Sequence, residues 1–443
     1  QGNRKKSEMT DDERVQNLQR KLYRKAKEEE RYRFSVLYDK VCCLPYVVRE
    51  AYRRVKANHG APGVDGVTFI DIEAAGEGEF IEAIREELVE RSYRPSPVKR
   101  KMIPKANGKM RPLGIPTIKD RVAQMACKMI IEPIFEADFQ ECSYGFRPQR
   151  SAQDAVGKIR GHLKAGREQV LDADLSNYFD TIPHQKLLLL IEQRISDRNV
   201  LHLIRQWLKA PVEEDGKISG GKSNRRGTPQ GGVISPLLAN IYLNLVDKLV
   251  ERGMADIPED VRIVRYADDF VLLGRTISDR IIRKLNEVLA RMELELNTEK
   301  TKVVNAAGER FDFLGFTFHK RWSRMQRGEK YYHVQASMKA MKQVRANIKK
   351  YLKGNLNQGS KVVIKNLNWK IRGWLAYFAM PGTTQTWKAA DMLKGYLKES
   401  LYRYHRRKSQ RYNERFCRNA YYIWMDKGLV DPMGLCSAAT PKA

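Results

Sequence analysis

The chain has 443 residues, a length that fits two or three domains rather than one. Hydrophobic residues make up 42% and charged residues 30%, enough apolar material for packed cores, which excludes a mainly disordered polymer. Lys plus Arg number 82 against 53 Asp plus Glu, a formal charge of +29, so the expected partner is a polyanion, nucleic acid ahead of an anionic membrane surface. No apolar run nears the roughly 18 residues needed to cross a bilayer, and the opening QGNRKKSEMTDDER has no hydrophobic signal core. Cys42, Cys43, Cys127, Cys142, Cys417 and Cys436 include no CxxC pair and no His at zinc spacing, so reduced thiols and no structural zinc are expected. These features predict a soluble cytoplasmic protein with no membrane partner, and the initial Gln is read as a trimmed start.

In chain order, residues 11–33 place Val15, Leu18 and Leu22 on one stripe of a charged helix that starts at a Thr10 or Asp11 cap. A second helix spans about 45–58 and is broken by GAPGVDGVTF at 60–69, where glycine and proline cannot continue it. Residues 79–91 are helical, and 92–117 read as a hairpin around Ala106-Asn107-Gly108. Helices follow at 119–138 and 152–164, a short strand at 169–175, helices at 186–194 and 200–208, and a strand, tight turn and strand at 261–275. Helices dominate again beyond 335. Antiparallel hairpins mixed with helices predict an α+β fold rather than a doubly wound sheet.

Charge is unevenly spread. Residues 319–418 hold 25 Lys or Arg against 4 acidic residues, so 21 of the 29 net charges lie in this stretch. Trp322, Tyr331, Tyr332, Tyr351, Trp369, Trp374, Tyr377, Tyr402 and Tyr404 are interleaved with them, a mixture suited to following a phosphate backbone and stacking on bases.

Two acidic sites interrupt hydrophobic strands. In Val170-Leu171-Asp172-Ala173-Asp174-Leu175, period two puts both carboxylates on one face. In Tyr266-Ala267-Asp268-Asp269, two adjacent acids occupy the turn of an apolar hairpin. Clustered carboxylates raise each other's pKa unless a cation sits among them. Mg²⁺, a hard cation that binds a few carboxylates, water and substrate phosphates, is the expected cofactor; two ions about 4 Å apart stabilise phosphoryl transfer.

The YADD turn, preceded by GTPQGGVISPLLAN at 227–240, resembles the reverse transcriptases encoded by group II introns. The resemblance extends through RPLGIPTIKDR (111–121), SYGFRPQRSAQDA (143–155), DADLSNYFDTIPH (172–184), LELNTEKTK (294–302), FLGF (313–316) and IRGWLAYF (371–378). It implies a right-hand polymerase: an N-terminal extension at 1–70, fingers at 71–165, a palm at 166–318, a helical thumb and maturase domain at 319–400, and a short basic DNA-binding-like segment at 401–443.

It also implies roles. Asp174, Asp268 and Asp269 would be the catalytic, metal-holding carboxylates, with Asp172 in support. Lys105 and Arg111 would grip the incoming triphosphate, a point charge and a fork respectively. Phe179 or Tyr178 would exclude a 2′-hydroxyl, Gln230 would hydrogen-bond template or nucleotide, and Gly231 and Gly232 would let the chain approach them. Lys300 or Lys302 would protonate departing pyrophosphate. Gly63, in the template-clamping segment, Arg147, Gly315 of the primer grip, Arg372, Trp374, Arg403, Arg406, Arg407 and Lys408 would contact nucleic acid. The implied function is RNA-dependent DNA synthesis by a protein that binds its group II intron RNA, assists splicing and copies RNA during mobility. Its partners would be intron RNA, template RNA, primer or target DNA and dNTPs, in a bacterial cytoplasm and on the nucleoid when DNA is engaged. A domesticated CRISPR-associated or defence relative and a non-enzymatic splicing cofactor are the alternatives; the intact aspartates argue against the last. About 65 residues follow Phe378 without an HNH pattern, so target cleavage is not expected.

Overall fold

The computed structural model describes residues 9–104, 110–221, 223–253, 257–258, 260–322, 330–380, 383–384, 386–408 and 413–439. The first helix, Asp11–Glu28, begins where the sequence supplies a capping box. Thr10 Oγ1 accepts from the Glu13 amide at 3.3 Å while the Glu13 carboxylate accepts from the Thr10 amide at 2.8 Å, an arrangement that stabilises such a terminus by about 1 kcal/mol. It ends short of the expected residue 33 because Phe34 instead bridges to Ile195, its amide donating to Arg194 O at 2.8 Å. Asp197 fastens the same junction. Its buried carboxylate accepts from the amides of Leu37 and Tyr38, both at 2.8 Å, and caps the helix Arg198–Leu208.

The other expected helices form as Pro45–Ala57, Glu77–Val89, Ile118–Glu136, Ala152–Lys164, His184–Glu192 and Arg198–Leu208. The sequence reading did not place Ser235–Glu251, a helix buried along most of its length, with Leu237, Leu238, Tyr242 and Val246 inside. An all-round apolar helix has no amphipathic signature, which explains the omission.

The strands are β1 (Val98–Pro104), β2 (Met110–Ile115), β3 (Gln169–Asp174), β4 (Pro211–Glu214), β5 (Lys217–Gly220), β6 (Arg262–Tyr266), β7 (Asp269–Gly274), β8 (Lys302–Asn305), β9 (Phe311–Phe313), β10 (Phe316–Trp322) and β11 (Lys330–Ala336). The central sheet, β6-β7-β3-β8, is antiparallel throughout. The expected β1–β2 hairpin is present, although its 106–108 turn lies outside the described residues. An unexpected hairpin, β4–β5, extends that sheet by pairing β4 parallel to β1. The third sheet is β11-β10-β9.

Alternation along β3 distributes its side chains. Leu171 and Ala173 join the largest core, with Phe270, Leu272 and the helices Ile118–Glu136 and Ser235–Glu251. Val170, on the opposite face, joins a second core with Val271, Leu273, Phe311, Phe318 and Phe378. Asp172 and Asp174 share that second face but lie beyond its packed end, where they keep partial exposure. A third core, including Ile348, Leu367, Ile371, Leu393, Leu401 and Trp424, holds together Met338–Gly354, Ser360–Phe378, Thr386–Lys408 and Glu414–Asp426. Three expected domain boundaries therefore need moving. The one at 70/71 cuts the helix Phe69–Ala75, 318/319 cuts β10, and 400/401 cuts a helix whose Leu393 and Leu401 share one core.

Candidate active site

The β6–β7 hairpin pairs Tyr266 with Asp269, leaving Ala267 and Asp268 as its two-residue turn. Ala267 has φ 59°, as the tight hairpin turn requires and as a residue with a Cβ adopts only under restraint. Across the sheet, Asp269 is directly opposite Asp174. The turn before β8 brings up a cation: Asn297 N donates to Asp174 O at 2.7 Å, and Lys300 Nζ reaches Asp174 Oδ2 at 2.8 Å. Lys302, on β8, instead pairs in register with Asp172. The two lysines are thus divided between the two β3 carboxylates.

The crowding shows in the acidities. Burial, followed by the charges of Asp268, Asp174 and Asp172, pushes Asp269 up to about 6. Burial also raises Asp268, and Asp174 adds to the rise while Arg111 opposes it. Asp172 is pushed up to about 6, mainly by burial, against the pull of Lys302. The hydrogen bond to Asp174 holds Lys300 above its ordinary value. Repelling carboxylates of this kind are relieved by a divalent cation, so the donor set fits Mg²⁺. Among the described residues no three His, Cys, Asp or Glu side chains close into a ready-made cage. An open set still suits Mg²⁺, which completes its shell with water and substrate phosphates.

The loop at 227–232 closes the side of this cleft. Arg111 Nε donates to Gln230 Oε1 at 2.8 Å, and Gln230 Nε2 donates to Asp180 Oδ2 at 3.2 Å. Gly114 N donates to Gln230 O at 2.5 Å, and Gly231, at φ 116°, is so close to Gly114 O that a side chain there would collide with it. The close approach made by Gly231 is therefore to β2. Gly232 sits by Ser235 and Gln124. Lys105 lies outside the described residues.

Several expected contacts are corrected. Tyr178 is 2% exposed and its hydroxyl donates to Ala239 O at 2.6 Å, so it is a core residue; the neighbouring Phe179, at 9%, belongs to the same core and is only slightly more accessible. Arg147 is no nucleic-acid contact: its side chain is buried, paired with Glu136 at 2.6 Å and bonded to the carbonyls of Gln140 and Ser143. Gly63 packs on the backbone of Thr117, where a Cβ would come within 2.7 Å. Gly315, at φ 81°, turns the chain between β9 and β10 against the Phe378 ring. Trp374 is half-buried, 4.8 Å from that ring, whereas Arg372 is exposed. Arg403, Arg406, Arg407 and Lys408 are exposed on the last turns of Thr386–Lys408, but Arg403 pairs with Glu399, and Lys408 Nζ donates to Gln358 O at 2.5 Å.

A family model for reverse transcriptase (RNA-dependent DNA polymerase) matches residues 103–318, and one for the group II intron maturase-specific domain matches 341–422. The fold and its acidic cleft thus define a reverse transcriptase followed by a maturase domain. Protein YkfC of Escherichia coli (strain K12) is 35% identical over 349 residues, 70% of this chain and 90% of that one. Group II intron-encoded protein LtrA of Lactococcus lactis subsp. cremoris is 41% identical over 208 residues, 46% of this chain and 34% of LtrA, so the match spans about a third of that relative. A solved chain of the "Partial Cas6-RT-Cas1--Cas2 complex" is similar at 21% identity and TM-score 0.36, covering 57% of this chain and 42% of that one. The chain belongs to the group II intron-encoded reverse transcriptase/maturase family. Among the described residues no helix is long and apolar enough to cross a membrane.

Proposed function

We propose that this protein copies RNA into DNA at the Asp174, Asp268 and Asp269 cleft, and that it binds group II intron RNA, assisting its splicing, through the basic helices that start at Met338. The observation that carries the reading is the cross-strand meeting of Asp174 and Asp269 beside the Asp268 turn, with Lys300 drawn onto Asp174. Asp174 and Asp268, supported by Asp269, would hold two Mg²⁺ ions, which supply charge neutralisation at the attacking and leaving oxygens. Catalysis by the chain itself is then a matter of positioning. Arg111 exchanges Gln230 for the triphosphate of a dNTP. The primer 3′-oxygen attacks the α-phosphorus in line, pyrophosphate leaves, and Lys300 Nζ is the proton donor to it. The first two sheets act as fingers and palm, and the helices from Met338 as the thumb and maturase region. Template RNA, primer or target DNA and dNTPs are the partners, in the cytoplasm.

Phe179, five residues after Asp174 and slightly the more accessible of two buried rings, at 9% against 2% for Tyr178, is the one that would govern the choice of sugar. Phe179→Val should raise ribonucleotide incorporation relative to deoxyribonucleotide by about tenfold or more, a change of about 1.4 kcal/mol. Single-nucleotide extension on an RNA template measures the ratio; an unchanged value removes Phe179 from this role.

The raised aspartates also make a prediction about metal and pH. A carboxyl whose folded pKa lies above its unfolded value destabilises the fold once ionised, so this penalty is fully present above about pH 6 and disappears towards about pH 4. Mg²⁺ should therefore raise the thermal midpoint at about pH 7.5 and have little effect at about pH 5. Equal shifts at both pH values would place metal binding elsewhere.

A further inference from the structure

Arg265 is the one charged side chain of β6 that is fully buried, and it lies two residues before the turn. A guanidinium in such a place requires complete pairing. Its Nε donates to Asp247 Oδ1 at 2.8 Å and its Nη2 to Asp247 Oδ2 at 2.5 Å, with Asp247 equally inaccessible on the helix Ser235–Glu251. The remaining nitrogen is used differently. Nη1 donates both to Asn240 Oδ1, at 2.8 Å on the same helix, and to the carbonyl of Ala267, at 2.9 Å. That carbonyl belongs to the peptide that leads into Asp268.

A second brace reaches the turn from outside the sheet. Arg265 N donates to Cys142 O at 2.8 Å and Tyr144 N to Arg265 O at 2.9 Å, which lays the 142–145 segment along β6. Asn240 Nδ2 donates to Gly145 O at 2.8 Å, and Gly145 approaches Ala267 N so closely that a Cβ would collide with it. One helix, through Asp247 and Asn240, therefore grips both sides of a turn whose Ala267 is held at φ 59°.

We propose that Arg265, carried by Asp247 and Asn240, is a positioning residue that fixes the Ala267–Asp268 peptide and, through it, where the Asp268 carboxylate is presented. The proposal rests on the reading of Asp268 as a catalytic carboxylate. Arg265 touches no reacting atom. An ion pair that served stability alone would leave the turn carbonyl to other donors, whereas here one guanidinium nitrogen is committed to it.

The test uses the full chain with Asn240→Ala, which removes the bond to Nη1 and the tie to Gly145 while keeping the Arg265–Asp247 pair, and Arg265→Lys, which loses the forked geometry. Each folded variant is assayed for kcat, dNTP KM and Mg²⁺ dependence in primer extension, beside its thermal midpoint and RNA affinity. Expected are a kcat lower by on the order of 10²-fold, the drop that a displacement of about 1 Å produces, a need for more Mg²⁺, and dNTP KM and RNA affinity within about threefold of the unmutated protein. A purely structural role would lower the thermal midpoint and leave kcat per folded molecule and the Mg²⁺ curve unchanged, which overturns the proposal. Should Arg265→Lys not fold, the uncharged Asn240→Ala decides. Asp268→Asn is the control: if it extends primers normally the carboxylate reading itself has failed, and if it is inactive while folded Asn240→Ala keeps its kcat, only the positioning role has.

Discussion

Asp268→Asn is expected to reduce DNA synthesis by on the order of a thousandfold or more while leaving RNA affinity within about twofold. The substitution keeps the shape of the side chain but replaces an anionic oxygen with an amide, a poor ligand for a hard cation. It sits on the β6–β7 turn, away from the helices whose basic faces would hold RNA. Its effect on stability has a definite sign. Burial and Asp174 already disfavour the charged form of Asp268, so the neutral side chain should leave the thermal midpoint unchanged or raise it. Primer extension on an RNA template, run beside RNA filter binding and thermal unfolding, measures all three. Extension within a few-fold of the unmutated protein would sink the carboxylate assignment, and a lowered midpoint would mean that the acid is structural.

Neutralising Arg403, Arg406, Arg407 and Lys408 together should do the reverse, weakening the hold on structured RNA or target DNA far more than it slows copying of a short preannealed template. These residues lie on the exposed end of Thr386–Lys408, a helix whose buried side chains belong to a core separate from those of the central sheet. Removing one cation that neutralises a phosphate should flatten the slope of log affinity against log salt by roughly 0.7 to 0.9, so removing four would reduce it by about 3. Lys408 and Arg403 also have partners in their own chain, Gln358 O and Glu399. If those bonds persist in the complex, the reduction is correspondingly smaller. Titrations at several salt concentrations read the slope directly; no change in slope or affinity would make the cluster a solvated helix face.

How much of the site was legible depended on whether its determinants were local. The acids stood out because a carboxylate in an apolar strand is costly without a purpose, and period two alone placed Asp172 and Asp174 on one face. The choice between Tyr178 and Phe179 was not legible, since both are aromatic, adjacent and near the acids; in the fold both rings enter one core, and what distinguishes them is the long-range bond from the Tyr178 hydroxyl to Ala239 O. Arg147 shows the opposite failure. A basic residue in a motif reads as a phosphate contact, and nothing local announces that Glu136, eleven positions earlier on a different element, neutralises it. Arg265 did carry a signal, an arginine between Val264 and Tyr266 in a strand whose Ile263 and Val264 are apolar, but its partners Asp247 and Asn240 lie on a helix with no amphipathic stripe to reveal it.

The sequence by itself determined the α+β class, most helices, the two acidic strands and the concentration of positive charge after residue 318, because caps, glycine and proline breaks, periodicity and net charge act within a few residues of their cause. Tertiary structure decided what chain-distant surfaces do when they meet. It set Asp269 opposite Asp174, gave Lys300 to one carboxylate and Lys302 to the other, and joined β4 to β1 across more than a hundred residues. It also decided that the third core runs unbroken past residue 400, so that the basic tail belongs to the same helical body. Long-range register follows from burying whole faces at once, and no local stretch of sequence carries that information.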